Sequence, residues 1–192
     1  MAMEKAAKDC GKESVKGENF ILRCFKGLFY GFAAWFLCFI MGIFTSVLVS
    51  GHFMLKLIIG VCSALITLSL YFNWSYFACK RDKPLRKKET KLSKMPFKMA
   101  FFPLIPTYVC LIWLYLMKLH VVTDNFSLYV FFNIWIKPFI ISVTDLPIAI
   151  DSVPWLGIIA LTLLTLLKPA TVIITYIMTY YEIDLYKMIF YN

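Results

Sequence analysis

Four long apolar stretches, almost free of charge, restrict the folds that this sequence can adopt. They cover residues 27–50, 54–79, 99–117 and 153–178, and the charged residues within them are Lys56 and Lys168. A helix of about 20 apolar residues, rising about 1.5 Å per residue, crosses a hydrocarbon core of roughly 30 Å. Each stretch is therefore long enough to span a membrane, although 99–117 is so only narrowly.

The composition excludes an ordinary water-soluble domain. Hydrophobic residues make up 61% of the 192 residues and charged residues 16%, against about 45–50% and about 25% in soluble domains. A soluble protein of this length would expose the excess as large apolar patches. In lipid only helices and closed barrels satisfy the backbone, and the stretches lack the alternation of barrel strands. The sequence predicts an all-α integral membrane protein with a four-helix transmembrane bundle.

Charge near the ends of the stretches predicts the orientation. The loop 80–98 carries nine basic and two acidic residues, and basic residues beside spans mark the cytoplasmic side. The polar segment 1–19 precedes a single transmembrane domain, 20–181, and a tail, 182–192, follows it. We expect both termini and the loop 80–98 to be cytoplasmic, in a plasma or inner membrane.

Segment 126–144 does not fit the four-span scheme easily. It is apolar, but it contains Asn133, Lys137 and Pro138. A lysine at mid-membrane costs about 2.5–3.5 kcal/mol, and proline removes a backbone donor and kinks a helix. We expect a re-entrant or interfacial helix on the outer side. The alternative is a fifth span, which would place the C-terminus outside.

Two Lys-Pro pairs lie within apolar segments. Lys137-Pro138 belongs to 126–144 and Lys168-Pro169 to the last stretch. Transporters build substrate sites where helices are broken inside the membrane, which makes Lys168 the best candidate for a functional intramembrane charge. The other interpretation places Lys168 near the inner surface, where its side chain would extend to water.

Helix-packing and helix-bending signals are also present. Pro103 and Pro106 are predicted to bend or loosen the inner end of the third span, which would create a hinge or an unwound start. Gly27 and Gly31 have the spacing of close helix packing. Aromatic residues near span ends, including Trp74, indicate interfacial anchors.

Two aspartates follow segment 126–144, in Asp145-Leu146-Pro147 and Asp151-Ser152-Val153-Pro154. Paired carboxylates can bind a cation or act as acid and base. The second motif also has the pattern of a helix start, with Asp151 or Ser152 at the N-cap, and we favour that structural role.

The basic loop is the clearest candidate for a contact surface. Juxtamembrane basic residues attract anionic lipids, and the same loop could bind an acidic partner or serve only to fix topology. Nucleic acid is not expected, because no aromatic residues alternate with the charges. The candidate contact residues are Lys80, Arg81, Lys83, Arg86, Lys87 and Lys88.

No nucleotide-binding, hydrolase or metalloprotease motif occurs in the sequence. We expect no cofactor and no metal. The favoured function is a non-enzymatic accessory or scaffold protein, or a transporter or channel subunit, acting with the lipid bilayer and with other membrane proteins or copies of itself. The competing hypothesis is an intramembrane enzyme acting on lipid or peptide through Asp145, Asp151, His120 or Lys168.

Overall fold

A computed structural model describes residues 19–48, 53–82, 94–143, 149–181 and 183, and these form helices and turns without strands. Two single-turn 3₁₀ helices, Ile134–Ile136 and Ile150–Ser152, accompany the α-helices. The α-helices are α1 (Phe20–Leu48), α2 (Phe53–Asp82), α3 (Met95–Phe101), α4 (Ile105–Lys118), α5 (Phe126–Phe132), α6 (Lys137–Val143) and α7 (Trp155–Tyr180).

Three of these helices, α1, α2 and α7, are long and apolar enough to cross a membrane. The pair α3 and α4 passes the same test together, with a bend of 53° at the break between them. Pro103 lies in that break and Pro106 is in the first turn of α4, where proline is tolerated because the early N–H groups have no helical acceptor. The bend therefore lies where the sequence predicted that prolines would loosen the third span.

The perimeter of the bundle is apolar. Many large hydrophobic side chains point outward, and Phe25, Phe29, Leu65, Leu156 and Leu163 are each more than 60% exposed. Exposed apolar patches on this scale do not occur on soluble monomers. Such a perimeter is typical of a membrane protein, in agreement with the composition of the sequence.

Helix α2 lies at the centre of the bundle and packs against α1, α6 and α7. Small polar side chains hydrogen-bond across these interfaces. Ser75 Oγ donates to the Val172 carbonyl at 2.7 Å, and Cys79 Sγ donates to the Tyr176 carbonyl at 3.4 Å. Such bonds hold helices together where the surrounding solvent offers no hydrophobic drive for their association.

The contact between α1 and α2 depends on two glycines. A Cβ at Gly27 would lie 2.6 Å from the Trp74 ring and 2.7 Å from Pro103 Cβ, and one at Gly31 would lie 2.8 Å from the Tyr71 hydroxyl. The predicted Gly27–Gly31 packing motif is thus present. Trp74, predicted to be an interfacial anchor, is 3% exposed and fills the space beside Gly27, so that prediction was wrong.

Replacing Gly27 with alanine is expected to destabilise the bundle by about 1–3 kcal/mol, the usual cost of overpacking. The matched control is Gly42→Ala on the same helix, because its Cβ would meet only Ile134 Cγ1 at 3.9 Å. Unfolding in mixed micelles with a rising fraction of sodium dodecyl sulfate measures the stability of both variants. Equal stabilities of the two variants would contradict the packing role of Gly27.

The bundle has two polar ends of different charge. Arg23 and Lys26 of α1, Lys80 and Arg81 of α2 and Lys98 of α3 lie at one end, hereafter the basic end. The opposite end holds Lys118, His120, Asp124 and Asp151, which are joined by short contacts to the start of α7. The cations predicted to be cytoplasmic therefore lie at the same end of the bundle.

Segment 126–143 folds into two helices of seven residues each, α5 and α6, separated by the 3₁₀ turn Ile134–Ile136. Neither helix reaches the about 20 residues that a span needs, and the segment is not among the helices long enough to cross a membrane. The turn packs against α1 and α2, and α6 packs against α2. Trp35 Nε1 donates a hydrogen bond to the Phe131 carbonyl at 2.9 Å, which fixes the C-terminal end of α5 against α1.

The prolines of the two Lys-Pro pairs occupy different positions in their helices. Pro138 is the second residue of α6 and starts that helix instead of kinking it. Pro169 lies inside α7, which nevertheless continues from Trp155 to Tyr180. A helix with so many neighbours can lose the one backbone bond that Pro169 removes and still continue.

Candidate ligand-binding site

Lys168 lies at the middle of α7, thirteen residues after its start and twelve before its end. Its side chain is 7% exposed, and Nζ lies 4.8 Å from the centroid of the Trp135 ring. The interpretation that Lys168 extends to water at the inner surface was therefore wrong. It was based on the depth of Lys168 along the last span, whereas the side chain turns inward and is buried against Trp135.

Trp135 reaches Lys168 because segment 126–143 turns inside the bundle. Asn133 ends α5 with φ −111° and ψ 44°, and the next three residues form the 3₁₀ turn. The turn places Asn133, Ile134, Trp135 and Ile136 among the buried residues. The sequence marked this segment through Asn133 and Lys137, but it did not identify Trp135 as a functional residue.

A cavity of about 370 Å³ lies beside Lys168. Its walls come from α1, α2, the bent α3–α4 pair with Pro103 and Pro106, the end of α5 with the turn after it, and Lys168 of α7. Most of its lining side chains are apolar or aromatic. The polar lining residues are Thr67, Tyr71, Thr107, Cys110, Asn133 and Lys168.

The electrostatics of the cavity are unbalanced. Lys168 is the single charged residue of the lining, and among the described residues its ammonium lies over the Trp135 ring and forms no salt bridge with a carboxylate. The indole N–H of Trp135 is buried without an acceptor among the described residues. An uncompensated ammonium in an apolar interior is costly. The cavity therefore offers one positive charge to an anion.

A second cluster of polar side chains lies at the basic end and was not predicted from the sequence. The Arg23 guanidinium makes two parallel bonds to the Asp82 carboxylate, one of them from Nη1 to Oδ2 at 2.6 Å. The Tyr176 hydroxyl donates to the same Oδ2 at 2.6 Å. Arg23 is 2% and Asp82 3% exposed. The inner charged cluster, Arg23, Asp82 and Tyr176, thus joins α1, α2 and α7.

Sequence signals for this cluster existed but were ambiguous. In the sequence, Arg23 is one basic residue near the start of the first apolar stretch, and Asp82 is one of the two acidic residues of the loop 80–98. The signal that distinguishes them is position, because Asp82 lies three residues after the second stretch and Arg23 stands among apolar residues. A paired arginine and aspartate can stay buried where a single one could not.

The acidic motif at the opposite end is not assembled into a site by the described residues. Asp151 lies 3.5 Å from His120 Nε2, and both side chains are about two-thirds exposed. The N-cap of α7 is Pro154 and no side chain caps it, so the predicted capping by Asp151 or Ser152 was wrong. Asp145 lies outside the described residues.

Asp124 and Lys118, for which the sequence predicted no role, hold this end together. Asp124 accepts backbone N–H bonds from Phe126 at 2.9 Å and from Ile150 at 3.1 Å. Lys118 Nζ donates to the Val153 carbonyl at 2.8 Å. These bonds fix the start of α5 beside the start of α7. Among the described residues no group of three or more His, Cys, Asp or Glu side chains could hold a metal ion.

The predicted basic contact surface is only partly described. Lys80 is exposed and its Nζ lies 4.7 Å from the Tyr76 ring centroid. Arg81, together with Lys26, borders a groove of about 470 Å³ on the perimeter, whose apolar lining includes Phe29 and Phe77. The other members of the surface, Lys83, Arg86, Lys87 and Lys88, lie outside the described residues.

Comparisons with protein-family profiles, with curated proteins and with solved structures found no match for this chain. Its function therefore has to be inferred from the geometry of the cavity around Lys168.

Proposed function

We propose that this chain is a membrane-embedded solute-binding protein, the binding subunit of a transport system, and that its cavity binds a small organic anion. The observation that carries the proposal is the buried Lys168, which faces a cavity of about 370 Å³ without an acidic partner in the described chain. The volume is within the range of about 300–1,000 Å³ usual for small-molecule sites.

The composition of the cavity favours binding over a purely structural role. A scaffold fills its core, whereas this core is divided into two packed clusters with the cavity between them. The walls combine a bent span and an interrupted helix, which are the elements from which transporters build sites inside the membrane. Pro103, at the bend, supplies one wall and is the candidate hinge.

The proposed architecture has four spans, α1, α2, the bent α3–α4 pair and α7, with 126–143 as a re-entrant segment. The support is the shortness of α5 and α6, their contacts inside the bundle, and the clustering of cations at the basic end. By the positive-inside rule that end faces the cytoplasm. Both termini then lie on the cytoplasmic side.

Reporter fusions test this topology. Green fluorescent protein fused after residue 192 is expected to fluoresce, whereas alkaline phosphatase at the same place should be inactive. Fusions after residue 124 should give the reverse result, because that position lies at the opposite end. An active phosphatase after residue 192 would instead indicate a fifth span.

Binding of benzoate to the purified protein in detergent tests the function. Benzoate is a compact aromatic monoanion, and its neutral isostere benzamide is the matched control. Benzoate should raise the melting temperature in a saturable manner, since a ligand that binds only the folded state stabilises it, and benzamide should not. A failure of benzoate and of other carboxylates to bind would contradict the proposal.

We also propose that anionic phospholipids occupy the perimeter groove beside Lys26 and Arg81. Two cations stand at the basic end of that groove, and its remaining lining is apolar. A phosphate headgroup would contact both cations while an acyl chain lies along Phe29 and Phe77. Each juxtamembrane basic residue contributes about 1 kcal/mol to attraction of an anionic surface.

The variant Lys26→Gln/Arg81→Gln should retain much less phosphatidylglycerol than the wild type after extraction in mild detergent, because removing about 2 kcal/mol of attraction weakens binding on the order of 30-fold. Native mass spectrometry counts the retained lipids. Lys98→Gln is the control, since Lys98 is exposed at the same end and does not line the groove. Equal retention by both variants would exclude a lipid site in the groove.

The enzyme hypothesis has no observation in its favour. The described side chains that it requires are separated, because Asp151 and His120 are exposed at one end whereas Lys168 is buried at the middle of α7. Neither Asp151 nor His120 lines the cavity.

A further inference from the structure

The cavity around Lys168 has its mouth on the apolar perimeter of the bundle. Four large lining side chains are strongly exposed: Leu28 by 42%, Phe32 by 62%, Phe131 by 42% and Phe132 by 54%. The first two belong to α1 and the others to α5, and Pro106 of α4 is also exposed. The cavity therefore opens sideways, between α1 and α5 and beside Pro106.

Polarity changes from the mouth to the floor. The four mouth residues are hydrocarbon side chains, whereas the polar lining groups Thr67, Asn133 and Lys168 are 1%, 2% and 7% exposed. The charge is therefore at the deep end of the cavity and the apolar surface at the open end. An occupant that matches this gradient has a charged head and an apolar body.

The depth of the mouth limits how an occupant arrives. Phe32 lies twelve residues into α1, about 18 Å along a helix about 42 Å long at about 1.5 Å per residue. If α1 spans the membrane, the mouth opens into the hydrocarbon region. A small hydrophilic ion would have to cross lipid to reach it, whereas an amphipathic molecule is already dissolved there.

We infer that the natural ligand is a long-chain monocarboxylate of the fatty-acid class, which enters sideways from the bilayer. Its carboxylate pairs with Lys168, and its chain leaves between Phe32 and Phe132 into the lipid. The single cation of the lining matches one negative charge. The inference rests on the proposed function, and it adds the ligand class and the access route.

Competition against radiolabelled benzoate tests the ligand class in detergent-purified protein. Palmitate should displace benzoate at a concentration roughly tenfold or more below that of octanoate, since eight additional methylenes bury more apolar surface. Acetate should be the weakest competitor. If benzoate binds through Lys168 but palmitate does not displace it, this inference is overturned and the proposed function stands. If no carboxylate binds in a Lys168-dependent manner, both are overturned.

A palmitate analogue with a photoreactive diazirine at its terminal carbon tests the access route. After irradiation in lipid nanodiscs, the label is expected on peptides containing residues 28–32 and 131–132, and excess palmitate should remove it. The variant Lys168→Met should show roughly tenfold less labelling at the same positions. Labelling confined to other helices, or independent of Lys168, would overturn the sideways route.

Discussion

Replacing Asp82 with alanine is expected to lower the free energy of unfolding by about 3–5 kcal/mol, the largest stability effect that we predict for a single substitution. The reason is that Arg23 and Asp82 are both almost fully buried and pair through two bonds. Removal of the carboxylate takes two bonds from the buried guanidinium and one from the Tyr176 hydroxyl. The melting temperature of the detergent-solubilised protein should fall on the order of 10 °C.

Two companion variants separate charge pairing from packing. The double variant Arg23→Met/Asp82→Leu removes both charges, and it should recover much of the stability because no buried charge is then unpaired. Tyr176→Phe should lose about 1.5–3 kcal/mol, the usual value of a hydrogen bond to a charged group. A double variant as unstable as Asp82→Ala would show that the cluster acts through shape and not through charge.

Replacing Lys168 with methionine is expected to weaken benzoate binding by roughly tenfold to a hundredfold, the equivalent of losing about 1.5–3 kcal/mol of charged hydrogen bonding. The free protein should melt at a higher temperature than the wild type, because an uncompensated buried charge is replaced by an apolar side chain of similar length. Equilibrium binding of radiolabelled benzoate and thermal unfolding measure the two effects. Their opposite signs distinguish a binding lysine from a structural one.

The other Lys-Pro pair provides the control. Lys137 is half-buried at the start of α6 and does not line the cavity, so Lys137→Met should leave benzoate affinity unchanged. Lys168→Arg retains the charge and should keep part of the affinity, although the larger guanidinium takes up cavity volume. Unaltered benzoate binding in Lys168→Met would exclude this residue as the anion-binding group.

The α3–α4 bend concerns movement of the cavity wall, not the affinity of the cavity for a ligand. Pro103 packs against the position of Gly27 and also lines the cavity, so movement of the α3–α4 bend would change the cavity directly. The break occupies Phe102, Pro103 and Leu104, where the helical hydrogen-bond series is interrupted. This geometry makes the bent span the candidate moving part of a transport cycle.

Several features could be read from the sequence because they depend on local composition. Hydropathy identified three helices long enough to cross a membrane and the bent pair, since about 20 apolar residues have few alternatives to a helix. Pro103 and Pro106 marked the bend, because proline cannot donate the bond that a straight helix requires. Gly27 and Gly31 marked the close contact between α1 and α2.

The sequence by itself determined which segments are helical, where one of them bends and which end of the bundle carries the excess of cations. Only the tertiary structure decided which way Lys168 points, that Trp135 meets it, and that Arg23 and Asp82 neutralise each other. The physical reason is distance along the chain. Arg23 and Asp82 are 59 residues apart, and a charge is stabilised in an apolar interior by whatever partner the packing of distant helices brings to it, which neither residue's neighbours in sequence reveal.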